Sequence, residues 1–249
     1  MRDEVQPLLD RFLDGVRDTV PLDALWAHGS LALGDFQPGR SDLDMIAVLG
    51  SDADTAQQQR LTDLHRELAA ADPQAEKLHC SYMVRGELAD ADVRHLTWAH
   101  QELMRRPVTP VSRRELHTAD LTLFGPPPSA VLPATTDAEL TAFVRHDLRT
   151  FWLPATARPR RWLQDIWVDL GALTTARARV TLTDGRLISK GEALDLLPGL
   201  GAPQDLVDDI RSRRYATPRT LTLPQRVRRA HQSRAFTRGA IRRILAAQP

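Results

Sequence analysis

Residues 28–49 read HGSLALGDFQPGRSDLDMIAVL, and this stretch decides the fold. Gly29-Ser30 follows a short apolar segment, at a turn whose backbone N–H groups can face a phosphate. Asp42 and Asp44 stand two residues apart at the start of an apolar run, so on a strand their side chains share a face. Two carboxylates on one face repel each other unless a cation lies between them, and Mg²⁺ prefers such oxygen ligands. The stretch therefore predicts a phosphate-binding turn beside a magnesium site.

The hydrophobic periodicity on either side of this stretch predicts a small α/β core followed by helices. The predicted elements are a helix over 3–18, strands over 22–27 and 42–49, a helix over 51–71, a strand over 77–84, a mostly helical segment over 86–120 and an extended piece over 121–125. The prolines at 126–128 can continue neither a helix nor a ladder, which places a domain boundary there.

The second half is predicted to be helical, over 137–151, 161–178, 191–197 and 226–245. Ser189 is expected to cap the third of these helices, with Glu192 completing a capping box. The predicted fold is α+β: residues 1–128 form an α/β domain with a small mixed sheet, and residues 129–249 form an all-helical domain.

Composition and charge bound the function further. The 249 residues include no apolar run of the roughly 20 residues that span a bilayer, and the acidic N-terminus is unlike a signal peptide. The single cysteine, Cys80, can form no internal disulfide, so a cytoplasmic protein without membrane contact is expected.

Residues 1–129 hold 13 Lys+Arg and 21 Asp+Glu, a balance of −8, whereas residues 130–249 hold 20 and 11, a balance of +9. This asymmetry predicts two halves with different surfaces.

The turn and the aspartate pair together resemble the signature of the nucleotidyltransferase superfamily, which has a DNA polymerase β-like fold. Further segments resemble the aminoglycoside adenylyltransferases that act on streptomycin and spectinomycin. These segments are Leu123-Phe124-Gly125-Pro126-Pro127, Ile166-Trp167 and Leu187-Ile188-Ser189-Lys190. No Gly-x-x-x-x-Gly-Lys-Ser/Thr loop occurs, so a P-loop is excluded.

The resemblance implies transfer of AMP from MgATP to a hydroxyl of a small, aminoglycoside-like molecule, an antibiotic-resistance activity. The residues that it implies for nucleotide binding are Gly29, Ser30, Ser41 and Lys190. Asp42 and Asp44 are the implied magnesium ligands and catalytic carboxylates. A substrate hydroxyl would attack the α-phosphorus in line, and pyrophosphate would leave.

One departure from the family pattern concerns the general base. The family places a third carboxylate on the strand after the helix, but residues 77–84 contain no acid, and His79 occupies the aligned position. A histidine can accept a hydroxyl proton but binds Mg²⁺ poorly. Either His79 is a substituted catalytic base, with Glu76 and Glu87 as alternatives, or turnover is weakened and the chain is a nucleotide-binding regulatory protein.

A second departure concerns the acceptor, because sites for polycationic aminoglycosides are lined with acids and the C-terminal half is basic. Two acidic clusters could still line such a site: Asp165 with Asp169, and Asp205 with Asp208 and Asp209. Intrahelical ion pairs on a solvated helix face explain these clusters slightly better than an aminoglycoside site does. The arginine-rich 226–243 segment instead favours an anionic partner such as RNA, so an RNA or protein acceptor is a third hypothesis. Trp98 is a candidate for stacking on adenine and equally a candidate core residue.

Overall fold

The chain divides into two compact units, Met1–Thr135 and Thr136–Pro249. The structure is a computed structural model that describes residues 2–247, without the side chains of residues 2 and 3. The sequence-based boundary after residue 128 falls inside the first unit, because Pro128 starts a short helix that packs on the sheet instead of ending the domain. Among the described residues, no helix has both the length and the apolar character needed to cross a bilayer.

Six strands within residues 2–247 form one sheet in the order β5-β4-β3-β2-β1-β6. The strands are β1 (Leu22–His28), β2 (Leu43–Leu49), β3 (Leu78–Val84), β4 (Arg94–Ala99), β5 (Glu102–Pro107) and β6 (Leu121–Phe124). Only β2 and β3 pair in parallel, and the helix between them supplies the crossover that a parallel pair needs. The expected mixed sheet is thus observed.

Helices cover both faces of the sheet. The helices of this unit are α1 (Arg2–Thr19), α2 (Gly29–Ala32), α3 (Thr55–Ala71), α4 (Pro110–Ala119) and α5 (Pro128–Val131). On one face, Phe12 of α1 and Leu61 of α3 pack in a core with Met45 of β2. On the other face, Leu116 of α4 packs with Trp26 and Ile46. Strand residues alternate between these two cores, because successive side chains of a strand point to opposite faces.

The prediction that residues 86–120 are mostly helical is wrong. They contain the β4–β5 hairpin, and besides the end of a 3₁₀ turn over Arg85–Glu87 only α4 is helical. The hairpin turn is His100-Gln101, with φ of 54° and 65°. Two-residue turns of this kind normally carry Asn-Gly or Asp-Gly, which adopt positive φ easily. His-Gln gives no such signal, and the turn is held by its tertiary setting, including a 2.8 Å hydrogen bond from the Gln101 amide to the carbonyl of Glu76.

The second unit is helical, as expected. Its helices are α6 (Asp137–Asp147), α7 (Leu153–Ala155), α8 (Asp165–Asp184), α9 (Lys190–Leu196), α10 (Gln204–Tyr215) and α11 (Leu223–Ala246), with one π-helical turn over Leu148–Trp152. Ser189 caps α9, and its side chain and that of Glu192 form the predicted capping box.

The periodicity over 161–178 predicts an apolar face of Leu163, Ile166, Trp167, Leu170 and Leu173, and for α8 this prediction is only partly correct. Ile166 is 57% exposed, whereas the buried stripe consists of Leu173 together with two alanines and two valines, Ala172, Ala176, Val168 and Val180. Large side chains dominate a periodicity count, but close helix packing here uses the small ones. Trp162 is fully buried against Gly171, where an added Cβ would lie 2.5 Å from the ring.

Candidate active site

Three neighbouring strands bring His28, Asp44 and His79 into one row. In the β1–β2 ladder Asp44 is the register partner of His28, and in the β2–β3 ladder it is the register partner of His79. Residues in register on adjacent strands project to the same face. The aspartate of the motif therefore lies between two histidines where β1 ends and β2 and β3 begin.

The Gly29-Ser30 turn lies against this row. Gly29 has a φ of +64°, and a Cβ added to it would meet Oδ2 of Asp44 at 2.5 Å. Ser30 Oγ lies 3.5 Å from the carbonyl of Asp42, at the limit of a hydrogen bond. Asp42 itself is partly buried and directly precedes β2, which begins one residue later than the sequence predicted. The turn and the aspartate pair, separated by eleven residues in the sequence, thus form one structural unit.

Ser41 stabilises the loop between the Gly29-Ser30 turn and the aspartate pair. It is 6% exposed, and its hydroxyl accepts a 3.0 Å hydrogen bond from the backbone N–H of Gln37. Lys77 donates to the carbonyl of Arg40 and fastens the same loop to the start of β3. The structure thus gives Ser41 a clear role in loop geometry.

A carboxylate that sequence reasoning missed reaches the row from α4. Glu115 is 5% exposed, and its Oε2 lies 3.3 Å from Nδ1 of His28. Burial favours the neutral imidazole, but Glu115 and the charge of Asp44 outweigh it and raise the pKa of His28. Because Glu115 is 87 residues further along the chain, in a segment whose structure the sequence did not predict correctly, no local pattern linked the two side chains.

His79 lies at the end of the row opposite His28, next to Asp44. Its Nδ1 lies 3.6 Å from Oδ1 of Asp44, and its ring meets that of His100 edge-on at 5.0 Å. Positive φ at a non-glycine residue such as His100 is strained and is common near functional sites. The start of β3 therefore places the His79 imidazole beside the motif aspartate, and the hairpin turn places His100 against His79.

The two alternative acids are less well placed. Glu76 is exposed on the turn before β3. Glu87 follows the far end of β3, and Val84 is five residues beyond His79, about 17 Å along the strand. Glu87 instead lies 4.0 Å from Nδ1 of the buried His95. Neither shares the register of Asp44.

Lys190 belongs to the helical unit, where it is the first residue of α9. Its side chain is partly buried, and within residues 2–247 it forms no hydrogen bond or ion pair. A cation in the first turn of a helix is opposed by the helix dipole, so its position has no local electrostatic explanation.

The donor set suits Mg²⁺ bound together with a phosphorylated substrate. Among the described residues, no group of three or more His, Cys, Asp or Glu side chains is placed to hold a metal ion. Mg²⁺, however, is usually held by one or two carboxylates plus substrate phosphates and water. Asp42 and Asp44, beside a glycine that leaves room at Oδ2, fit that arrangement.

Within residues 2–247, every aspartate of the two acidic clusters in the helical unit except Asp208 forms an ion pair with an arginine. Arg213 contacts Asp169 at 2.6 Å and Asp209 at 2.5 Å, and Arg229 contacts Asp165 at 2.5 Å. Most of these pairs join different helices, whereas intrahelical pairs were expected. The same pairs neutralise part of the arginine excess. Trp98, the candidate for adenine stacking, is 1% exposed and stacks on His65 in the core.

No family model and no curated protein matches the sequence significantly. A comparison with solved structures, in contrast, supports the architecture described above. Among solved structures, spectinomycin adenyltransferase AAD(9) from Enterococcus faecialis, crystallised with ATP and spectinomycin, superposes with a TM-score of 0.70. The match covers 93% of this chain and 98% of that one at 12% identity. The resemblance in fold is therefore confirmed: this chain has the α+β nucleotidyltransferase fold of that adenyltransferase, with a helical C-terminal part.

Proposed function

We propose that this protein is an adenylyltransferase that moves AMP from MgATP to a hydroxyl of a small molecule. The observation that carries the proposal is the close approach of the Gly29 turn to the Asp44 carboxylate at the strand ends. It brings a glycine turn and a carboxylate pair together in one place. The fold shared with an enzyme crystallised with ATP and spectinomycin supports the same activity.

In the proposed reaction, the backbone of Gly29 and the hydroxyl of Ser30 hold the terminal phosphates of ATP. Asp42 and Asp44 hold Mg²⁺, which when bound supplies neutralisation of charge on the attacking and leaving oxygens. The acceptor oxygen bonds to the α-phosphorus, the bond from that phosphorus to the β-phosphate oxygen breaks, and pyrophosphate leaves. We keep Lys190 as a nucleotide-binding residue on the strength of the family resemblance alone. Ser41 keeps the loop between the two motifs in shape.

His79 is the proposed acceptor of the hydroxyl proton. It occupies the register position next to Asp44, its side chain is 10% exposed, and a ring nitrogen lies 3.6 Å from the carboxylate. General-base catalysis of this kind contributes about 10²–10⁴-fold. We therefore expect His79→Ala to lower kcat by about that factor with little change in the KM for ATP. His79→Glu, which places an acid in the same row, should retain more activity than His79→Ala.

The decisive experiment measures pyrophosphate release from MgATP with a panel of aminocyclitols and aminoglycosides that begins with spectinomycin. Asp42→Asn and Asp44→Asn should each abolish release. Asp63→Asn is the matched control, because among the described residues Asp63 bonds only Gln59, on the exposed side of α3. Full activity of either site variant would exclude the assignment of the aspartates.

A nucleotide-binding protein without turnover is the second candidate, and the histidine in place of an acid at position 79 favours it. Calorimetry separates the two proposals. Tight MgATP binding that depends on Asp44, with no pyrophosphate released across the whole panel, would support the binding protein. Transfer to an RNA acceptor has no comparable support, because several arginines behind that hypothesis are paired with aspartates.

A further inference from the structure

A buried carboxylate on α4 lies beside the candidate active site without belonging to its sequence motif. Glu115 is 5% exposed, and its neighbour Leu116 packs in the apolar core with Trp26 and Ile46. Burying a carboxylate costs free energy, and carboxylates are seldom buried unless a partner compensates for the lost water. Packing alone would favour an apolar residue at this position. The burial of Glu115 therefore calls for a role beyond packing.

Glu115 contacts His28, the last residue of β1. Its Oε2 lies 3.3 Å from Nδ1 of His28, and the two side chains are 7% and 13% exposed. A hydrogen bond between two mostly buried groups is strong because the local dielectric is low, so this contact fixes the orientation of the imidazole. His28 is also the N-cap residue of α2, but its side chain makes no capping hydrogen bond to that helix. The side chain of His28 is therefore held by α4 and not by α2.

The backbone of His28 leads directly into the Gly29-Ser30 turn. The chain leaves β1 at His28 in an extended conformation, with φ of −139° and ψ of −160°, and enters the turn at Gly29 with a φ of +64°. The turn passes so close to Asp44 that a Cβ on Gly29 would meet Oδ2 at 2.5 Å. Helix α4 packs against both β1 and α2, on either side of this bend. A small rotation at His28 would therefore move the turn relative to the carboxylate.

We propose that Glu115 is a positioning residue for the nucleotide, which acts through His28 by holding the Gly29-Ser30 turn in place. This inference rests on the proposed function, in which the turn binds the terminal phosphates of ATP. A shift of about 1 Å in a group that positions a substrate can cost about 10²-fold in rate. Loss of Glu115 weakens the binding of the β- and γ-phosphates and leaves the binding of the AMP portion unchanged.

The test is calorimetric titration of the full chain with MgATP and, separately, with AMP, which lacks the terminal phosphates. Glu115→Ala should weaken MgATP binding at least tenfold and leave AMP binding unchanged. Glu115→Gln, whose amide oxygen can accept a hydrogen bond from the imidazole N–H, should bind MgATP nearly as the unaltered chain does. A merely structural role of Glu115 would change the binding of both ligands alike.

A second variant shows whether Glu115 acts through His28. His28→Phe keeps an aromatic ring but loses the hydrogen bond, and it tests the proposal even where Glu115→Ala folds poorly. It should weaken MgATP binding as much as Glu115→Ala does, and the double variant should lose no more than either single variant.

Thr109→Ala is the matched control on the same helix. It removes the N-cap of α4, whose side chain accepts a hydrogen bond from the backbone N–H of Ser112, and it leaves Glu115 and His28 in place. This variant should bind MgATP as the unaltered chain does.

Unchanged MgATP binding by Glu115→Ala and His28→Phe would overturn the proposal. So would an equal loss in Thr109→Ala, additive losses in the double variant, or an equal loss of AMP binding. A chain that binds MgATP with the expected dependence on Glu115 but releases no pyrophosphate would overturn the proposed transfer and leave this inference intact.

Discussion

His65 makes the stability of the first unit depend on pH. It is 1% exposed, its ring stacks on Trp98 with centroids 4.7 Å apart, and Phe12 lies against it at 5.3 Å. Its Nε2 lies 2.8 Å from the hydroxyl of Tyr82. Burial, with a smaller contribution from the charge of His79, lowers the pKa of His65 to about 3. The folded unit therefore keeps this imidazole neutral in mild acid.

The sign of the effect follows from proton linkage. The unfolded chain binds a proton at His65 below a pKa of about 6.5, whereas the folded chain does not until about pH 3. Stability from this group is therefore present above pH 6.5 and is lost as the pH falls toward 3. Between pH 7 and pH 4 the loss amounts to about 3 kcal/mol in the free energy of unfolding. His65→Gln, which cannot titrate, should remove this part of the pH dependence.

Cys80 provides the assay. It is the single cysteine of the chain, it is fully buried in β3, and urea unfolding of the first unit exposes it. Its labelling by dithiodipyridine, which reacts with thiols in acid as well, gives the free energy of unfolding at pH 7 and at pH 4. His100→Gln, an exposed histidine of the same unit, should keep the full pH dependence. If His65→Gln loses as much stability as the unaltered chain between the two pH values, the reasoning is refuted.

Two further predictions concern the candidate active site. Gly29→Ala combines a φ of +64° with a Cβ contact of 2.5 Å to Asp44, so nucleotide-dependent pyrophosphate release should fall at least tenfold. Gly34→Ala, with a φ of +68° and open space around the added Cβ, should lose only about 1–2 kcal/mol of stability and keep its activity. Glu115→Ala leaves the buried imidazole of His28 without its partner and should cost about 2 kcal/mol in the Cys80 labelling assay, most of which Glu115→Gln should restore by keeping the hydrogen bond. Equal effects of the two glycine variants, or of the two Glu115 variants, would contradict these accounts.

Sequence reasoning identified the main elements where local patterns are strong. The spacing of apolar residues located α1, α3 and β1–β3, and the residue types at Ser189 and Glu192 identified the cap of α9. It failed at the β4–β5 hairpin, whose turn residues carry no turn signal. It also failed on α8, where packing buries small residues and leaves Ile166 exposed. In both places long-range packing overrode the local preference.

The sequence by itself determined the α+β class, the Gly29-Ser30 turn and the aspartate pair, because each depends on residue types at short spacing. Only the tertiary structure decided which side chains surround that pair. The ladders put His28 and His79 on either side of Asp44, α4 brings Glu115 to His28, and the Gly29 turn closes against the carboxylate. These contacts join segments up to 87 residues apart, and strand register and helix packing set them, which no short sequence pattern records.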